Sequence, residues 1–435
     1  MKPRTLARCS LVLSPALLLG GLELLFRALD LFPPPHFFKA VRGAAGESLR
    51  TTGHPIPVAY GRDPCLFAPR KAPGTKRVFM IGESSVHGFP YFPWSTIPAY
   101  LQARLRRILP DQRIEVINAG VPGFTSANIA QGFDEALDYE PDLIIVYCGH
   151  NELMLSHHEE IADDATVTRR ALSWLRDRRV MRALRALLHI VPKESFGLPF
   201  PADDLLAIHD QPRVPRPLLA AGYERYERYL RGMLGHAADR HVPVLCCKLV
   251  SNLLQQPPHW AYFERVQGDA ARAQFRADLE HALELFEAHR ASEAEPLLAD
   301  LEQRDPAVAS VAFAHGRVLL ALGRSDEALA AFVRAKDEDG MPMRATTRLL
   351  DIIARVAADA HVPLLDPWPS FIAASKQGVP GFDLLSDYCH PNIDGQYLLA
   401  TLILRELQQA QLLARADEFQ FAREAPRENT SKSSA

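Results

Sequence analysis

Two serines follow an apolar run in RVFMIGESSVHGFPY, residues 77–91. A serine hydroxyl is a poor nucleophile until a positioned base takes its proton. The base in turn needs a carboxylate to fix its tautomer and stabilise its cation. SDYCHPN, residues 386–392, offers both, with Asp387 three residues ahead of His390. That spacing lets base and orienting acid ride on one loop or first helical turn. Two further blocks carry donors. NAGVPGFTS (118–126) has glycines whose backbone N–H can approach a ligand closely. GHNE (149–152) has an asparagine amide. A nucleophile, a base, its acid and several donors are the parts of an acyl-transfer centre with an oxyanion hole. The serine block is not the G-x-S-x-G elbow, because Val86 stands two residues beyond Ser84. Ser85 is the rival nucleophile, with a second reading as a helix N-terminal serine bonded to backbone.

These blocks need a frame that brings distant segments together. RVFMIG (77–82), IEVINAG (114–120) and LIIVYCG (143–149) are short β-branched runs, with helical patterns at 97–109 and 127–139 between them. VPVLCCKLV (242–250) and VPLLD (362–366) follow later, each behind a helical segment. Apolar runs separated by helices predict a three-layer α/β/α domain around a parallel sheet of about five strands, of flavodoxin-like class. Function in such sheets sits beyond the carboxyl ends of the strands, where Gly82, Gly120 and Gly149 fall.

The four blocks, in this order, resemble the SGNH (GDSL-type) serine hydrolases over residues 77–152 and about 361–405. The resemblance implies Ser84 as nucleophile, His390 as general base and Asp387 as its orienting carboxylate. It implies oxyanion donors from the N–H of Ser84, Gly123 and the amide of Asn151, with His150 and Glu152 lining the pocket. Glu83 and Glu152 depart from the family's usual aspartates, each by one methylene, which bears on the geometry behind the site. The implied activity is hydrolysis of an ester, on a lipid or an envelope carbohydrate, through an acyl-enzyme. The same residues would serve an acyltransferase with a sugar or lipid hydroxyl as acceptor. A reading of another class is a binding scaffold with a vestigial triad.

Between the last two strands, 275–306 and 308–340 are helical and alanine-rich. Ala282 aligns with Gly316, Leu285 with Leu319, Ala294 with Ala328, Leu298 with Phe332 and Leu301 with Ala335, each 34 positions apart. That is the tetratricopeptide period. Two units are too few for a free solenoid, so the expectation is an insertion packed on the α/β domain, offering a surface to a protein partner. At the N-terminus, Lys2, Arg4 and Arg8 precede an apolar stretch from Leu11 to Phe32. A signal-anchor with its catalytic domain outside the cytoplasm fits the positive-inside rule. A cleaved signal, with the protein secreted, is the alternative. The basic amphipathic pattern at 169–191 reads as a solvated helix, with a membrane-surface helix as second reading.

The expected organisation is an anchor (1–32), a linker and entry segment (33–76), the hydrolase domain in two parts (77–260 and 343–415), the helical insertion (261–342) and a disordered tail (416–435). A net charge of −3 without zinc-finger spacing argues against a nucleic-acid partner. The six cysteines form no C-x-x-C pair, which predicts buried thiols. No phosphate or dinucleotide fingerprint is present, so no cofactor is expected. His157, His158, Glu159 and Glu160 read as a solvated loop, so no metal is expected either.

Overall fold

A computed structural model describes residues 17–32, 35–42, 47–52, 66–154, 175, 178–187 and 205–418. The chain divides into two compact units, one of residues 1–36 with 158–198 and one of 37–157 with 199–435.

In the larger unit the strands are β1 (Lys39–Arg42), β2 (Ser48–Thr51), β3 (Thr75–Gly82), β4 (Arg113–Gly120), β5 (Leu143–Tyr147), β6 (Ile208–His209), β7 (Val244–Cys247), β8 (Ala261–Tyr262) and β9 (Leu364–Leu365). The central sheet has the order β4-β3-β5-β7-β9, and every pairing in it is parallel. This is the doubly wound order in which the chain reverses direction across the sheet between β3 and β5, opening a crevice at their carboxyl ends. Every residue of β5 is buried, as both-face coverage requires. Helix α3 (Ile97–Ile108) packs with α13 (Ile393–Gln409). Helices α4 (Ser126–Ala136) and α11 (Thr347–Asp359) both pack with α6 (Arg216–Asp239). A four-residue turn, α2 (Ser84–His87), leaves the end of β3.

Two glycines let that turn settle on the sheet. Gly82 pairs with Gly120 on one side and Tyr147 on the other. A Cβ on Gly120 would lie 2.1 Å from His87 N, and one on Gly82 would lie 2.1 Å from Tyr147 O. Side chains at these strand ends would push α2 off its seat.

Part of segment 33–76, expected as a linker, is core instead. Phe37, Phe38 and Phe67 are buried, and Phe38 and Phe67 form an edge-to-face cluster with Phe79 and Tyr139. The Glu135 carboxylate accepts the N–H groups of Phe37 and Phe38. Aromatic rings packed this way outweigh the loop-like composition around them.

The insertion is four helices: α7 (Asp269–Glu287), α8 (Ala291–Arg304), α9 (Ala309–Ala321) and α10 (Ser325–Asp337). Each packs against the next. Both members of every pair spaced by 34 are buried. Gly316 faces Phe332, whose ring would lie 2.9 Å from an added Cβ. The insertion joins the α/β domain through a cluster that includes Phe313, Phe332, Leu253 and Val379.

In the smaller unit, residues 17–28 form α1 and Arg179–Leu187 form α5. Arg179 Nη1 donates to the carbonyls of Phe26 and Leu31 and to Asp30 Oδ1, while Arg182 Nε donates to the carbonyl of Phe32. The arginines of the basic pattern thus cap the carboxyl end of α1, which suits its dipole. Among the described residues no helix is long and apolar enough to cross a membrane. Residues 11–16 of the apolar stretch, His157–Glu160 and 419–435 of the tail lie outside the described residues.

Candidate active site

Ser84 opens α2 and is nearly buried, at 9% exposure. Its Oγ lies 2.6 Å from His390 Nε2, although 306 positions separate the two residues in sequence. His390 Nδ1 lies 2.7 Å from Asp387 Oδ2. The other oxygen, Oδ1, accepts the backbone N–H groups of Cys389 (3.0 Å) and His390 (2.9 Å), so the acid also shapes the loop that carries the base. The loop ends in α13, where the Asn392 side chain accepts from Gly395 N. Burial works to raise the Asp387 pKa, but the hydrogen bond and charge of His390, with the two backbone donors, carry it below its ordinary value. An ionised Asp387 accepts a hydrogen bond from Nδ1–H, which keeps the proton on Nδ1 and leaves Nε2 as acceptor toward Ser84 Oγ.

The neighbouring donors do not compete. Ser85 Oγ donates to the Cys389 carbonyl at 3.2 Å, which ties α2 to the histidine loop and occupies the rival hydroxyl. Burial pushes the Cys389 thiol well above its usual pKa. Ligand atoms of Asp387, Cys389 and His390 lie within 4.8 Å of one another. Both imidazole nitrogens are already committed and the thiol is protonated, so this group is a hydrogen-bonded relay and not a ready set of metal ligands. His87 stacks on Phe92, with ring centroids 4.1 Å apart. Burial, and then the charge of His390, lower its pKa to about 4, so it is neutral.

Glu83 and Glu152, the two departures noted above, are structural anchors. Glu83 is buried beside Ser84 and accepts N–H groups from Gly149 (2.9 Å), His150 (3.0 Å) and Asn151 (3.4 Å). The residue before the nucleophile therefore fixes the loop that presents Asn151. Burial pushes its pKa up to about 8 against the pull of those donors, and Glu152 adds repulsion. Glu152, expected to line the pocket, is fully buried instead. It accepts from Ser126 N at 2.9 Å and pairs with Arg225 at 3.7 Å. Arg225 also donates to Thr125 Oγ1. This network links the Gly123 loop, the Asn151 loop and α6. Nothing in the sequence distinguishes Arg225 from Arg228 or Arg231 on the same helix.

Asn151 is buried and donates one amide hydrogen to the Phe124 carbonyl at 3.0 Å. Its second amide hydrogen has no acceptor among the described residues. Gly123 has φ of 76°, a left-handed backbone suited to glycine, in the loop between β4 and α4. His150 Nδ1 accepts from Ala345 N, so its ring proton sits on Nε2. Burial and then His390 lower its pKa to about 3.

The family model for GDSL-like lipases and acylhydrolases matches residues 80–315, more than half of the 435-residue chain. The chain belongs to this family. It is a serine hydrolase acting on esters. The matched span of this GDSL-like hydrolase contains Ser84, Gly123 and Asn151 and ends within α9, ahead of Asp387 and His390. No curated protein sequence matches it. Its fold resembles several solved structures. LAE5, an alpha/beta hydrolase enzyme from the metagenome of Lake Arreo, is 14% identical, with 76% of this chain and 94% of that one covered and a TM-score of 0.34. Axe2, an acetylxylan esterase from Geobacillus stearothermophilus, is 12% identical, with 77% and 95% covered and a TM-score of 0.35. The lipase/acylhydrolase from Enterococcus faecalis is 12% identical, with 77% and 97% covered and a TM-score of 0.35. Likenesses of this degree bear on neither substrate nor mechanism.

Proposed function

We propose that Ser84, His390 and Asp387 are the catalytic triad of this esterase. The Ser84–His390–Asp387 hydrogen-bond chain, at 2.6 and 2.7 Å, carries the reading. Ser84 Oγ attacks the ester carbonyl while His390 Nε2 takes its proton. The tetrahedral oxyanion is held by N–H groups of Ser84 and Gly123 and by the spare amide hydrogen of Asn151. A donor of this kind is worth about 2.7–4 kcal/mol. His390 then protonates the departing alcohol, and water repeats the sequence on the acyl-enzyme to release the acid. The substrate we propose is an acyl or acetyl ester of a lipid or envelope carbohydrate.

We further read the four-helix insertion as two tetratricopeptide-like units, supported by burial of the pairs spaced by 34. We read the N-terminal segment as a membrane tether, its N-terminus cytoplasmic, that holds the catalytic domain outside the cytoplasm. Lys2, Arg4 and Arg8 support that, as do exposed leucines on α1 such as Leu17 (73%) and Leu24 (69%). A fluorophosphonate probe on the full chain tests the triad. The expected adduct is on Ser84, and it is lost in Ser84→Ala and His390→Ala. A folded protein that takes no label, or takes it on Ser85, overturns the assignment.

A further inference from the structure

A groove of about 700 Å³ runs between the helical insertion and the α/β domain. From the insertion it is lined by Phe286, Arg317 and Ser325, and from the domain by Gln255, Lys376 and Gln377. It continues into a second hollow of about 300 Å³ that adds Phe382 and Asp383. Neither hollow includes Ser84 or His390, so this is a site apart from the triad.

Its charge is one-sided. Arg317 and Lys376 both line the larger hollow, and none of its lining residues is acidic. Among the described residues neither cation has a carboxylate within 4.0 Å. Arg317 lies over the Phe286 ring at 5.2 Å, which holds the guanidinium at the groove wall. Asp383 is the one acid in the smaller hollow. Its two oxygens accept the N–H groups of Lys376 (2.8 Å) and Gly381 (3.2 Å), so it is spent on shaping the loop. Gln255 Oε1 accepts from Phe382 N, which leaves its amide hydrogens without a partner among the described residues. Free cations, side-chain amides, a hydroxyl and aromatic rings suit a chain that is both hydroxylated and negatively charged. Leu254, Leu320 and Ala321 complete the lining and can pack against the apolar faces of sugar rings.

The groove wall is also tied to the loop that carries the base. The domain side of that wall is segment 376–383, the start of the stretch that reaches Asp387 and His390. Leu253 N donates to the Pro380 carbonyl, Asn252 N to the Tyr388 carbonyl, and Asn392 Nδ2 to the Phe382 carbonyl. These bonds join groove wall and histidine loop into one piece.

We propose that this groove binds a linear anionic glycan, a sugar chain bearing carboxylate or phosphate groups, with Arg317 and Lys376 as its charge-reading residues. Binding stands on the groove alone. That an ester on the same chain reaches Ser84 rests on the esterase reading above.

The test uses the full chain carrying Ser84→Ala, titrated by calorimetry with polygalacturonate, a phosphorylated mannan, neutral dextran and polyglutamate. One or both anionic carbohydrate polymers bind, dextran does not, and the tighter of the two identifies carboxylate or phosphate as the recognised group. Added salt weakens binding. Replacing both Arg317 and Lys376 by Ala lowers affinity about tenfold or more, since two charge-assisted contacts are lost. Arg317→Glu with Lys376→Glu abolishes it. Both side chains are exposed, so an unchanged melting temperature certifies the variants as folded. Equal binding of dextran or polyglutamate, or unchanged affinity in the double variant, overturns the proposal. Fluorophosphonate labelling of the parent chain, set beside glycan titration of its Ser84→Ala variant with Arg317 and Lys376 intact, separates the two readings. Label without glycan binding sinks only the groove, and glycan binding without label sinks only the triad.

Discussion

Asp387→Asn exchanges one carboxylate oxygen for an amide nitrogen and leaves the loop's backbone contacts available. Oδ1 still accepts from Cys389 N and His390 N. The new NH2 faces His390 Nδ1, where the carboxylate stood at 2.7 Å. Two donors cannot share that contact, so the ring moves its proton to Nε2 and turns an N–H toward Ser84 Oγ. The base is then unable to take the serine proton. The charge lost can be sized as well. At 2.7 Å and an effective dielectric of about 20, a carboxylate stabilises an imidazolium by ~6 kcal/mol. The Asp387 side chain is 30% exposed, so water screens part of this. A loss of about 4–5.5 kcal/mol in transition-state stabilisation corresponds to about 10³–10⁴-fold in kcat. The assay is turnover of p-nitrophenyl acetate, with KM and melting temperature measured alongside. A folded Asp387→Asn protein that keeps kcat within about tenfold of the parent would refute the tautomer argument.

Three further outcomes follow from the same geometry. Glu83 is held near 8 in the fold against an ordinary 4.5, so the folded state binds its proton more tightly and stability falls as pH rises between those values. Glu83→Gln should flatten the melting-temperature profile across that window, and an unchanged slope would count against it. Gly120→Ala would set a methyl 2.1 Å from His87 N. The expected cost is about 1–3 kcal/mol of stability with a larger loss of kcat as α2 shifts, whereas parental values of both would show the turn to be loosely seated. Arg225→Met strands the buried Glu152 carboxylate and should lower the urea-unfolding free energy by about 3–5 kcal/mol, most of it restored by adding Glu152→Gln. A single variant as stable as the parent would mean the pair is not charge-coupled.

Strand placement and the order of the four blocks were legible because each depends on local pattern. β-branched runs ending in glycine mark the strands, and a loop carrying Asp387 and His390 depends on a three-residue spacing. The partners behind the site were not legible. Glu83 reaching the amides of 149–151, Glu152 meeting Arg225, and Ser85 bonding the Cys389 carbonyl are long-range contacts with no periodic signature. Phe37, Phe38 and Phe67 were hidden for a related reason, since isolated aromatics among prolines and glycines look like linker until their edge-to-face partners are known.

The insertion between β7 and β9 has a consequence for the order of events in the life of the chain. Ser84 emerges early in synthesis, but its base arrives 306 residues later, behind the whole four-helix insertion and the two-residue edge strand β9. Contacts of such sequence separation form late, because the intervening chain must collapse before they are rewarded. Until that contact forms, Ser84 has no imidazole beside it. The hydroxyl would stay inert until β9 docks at the sheet edge and draws the histidine loop over it. Completion of the fold and onset of reactivity would then be one step, so a chain still being made or moved could not attack the esters around it.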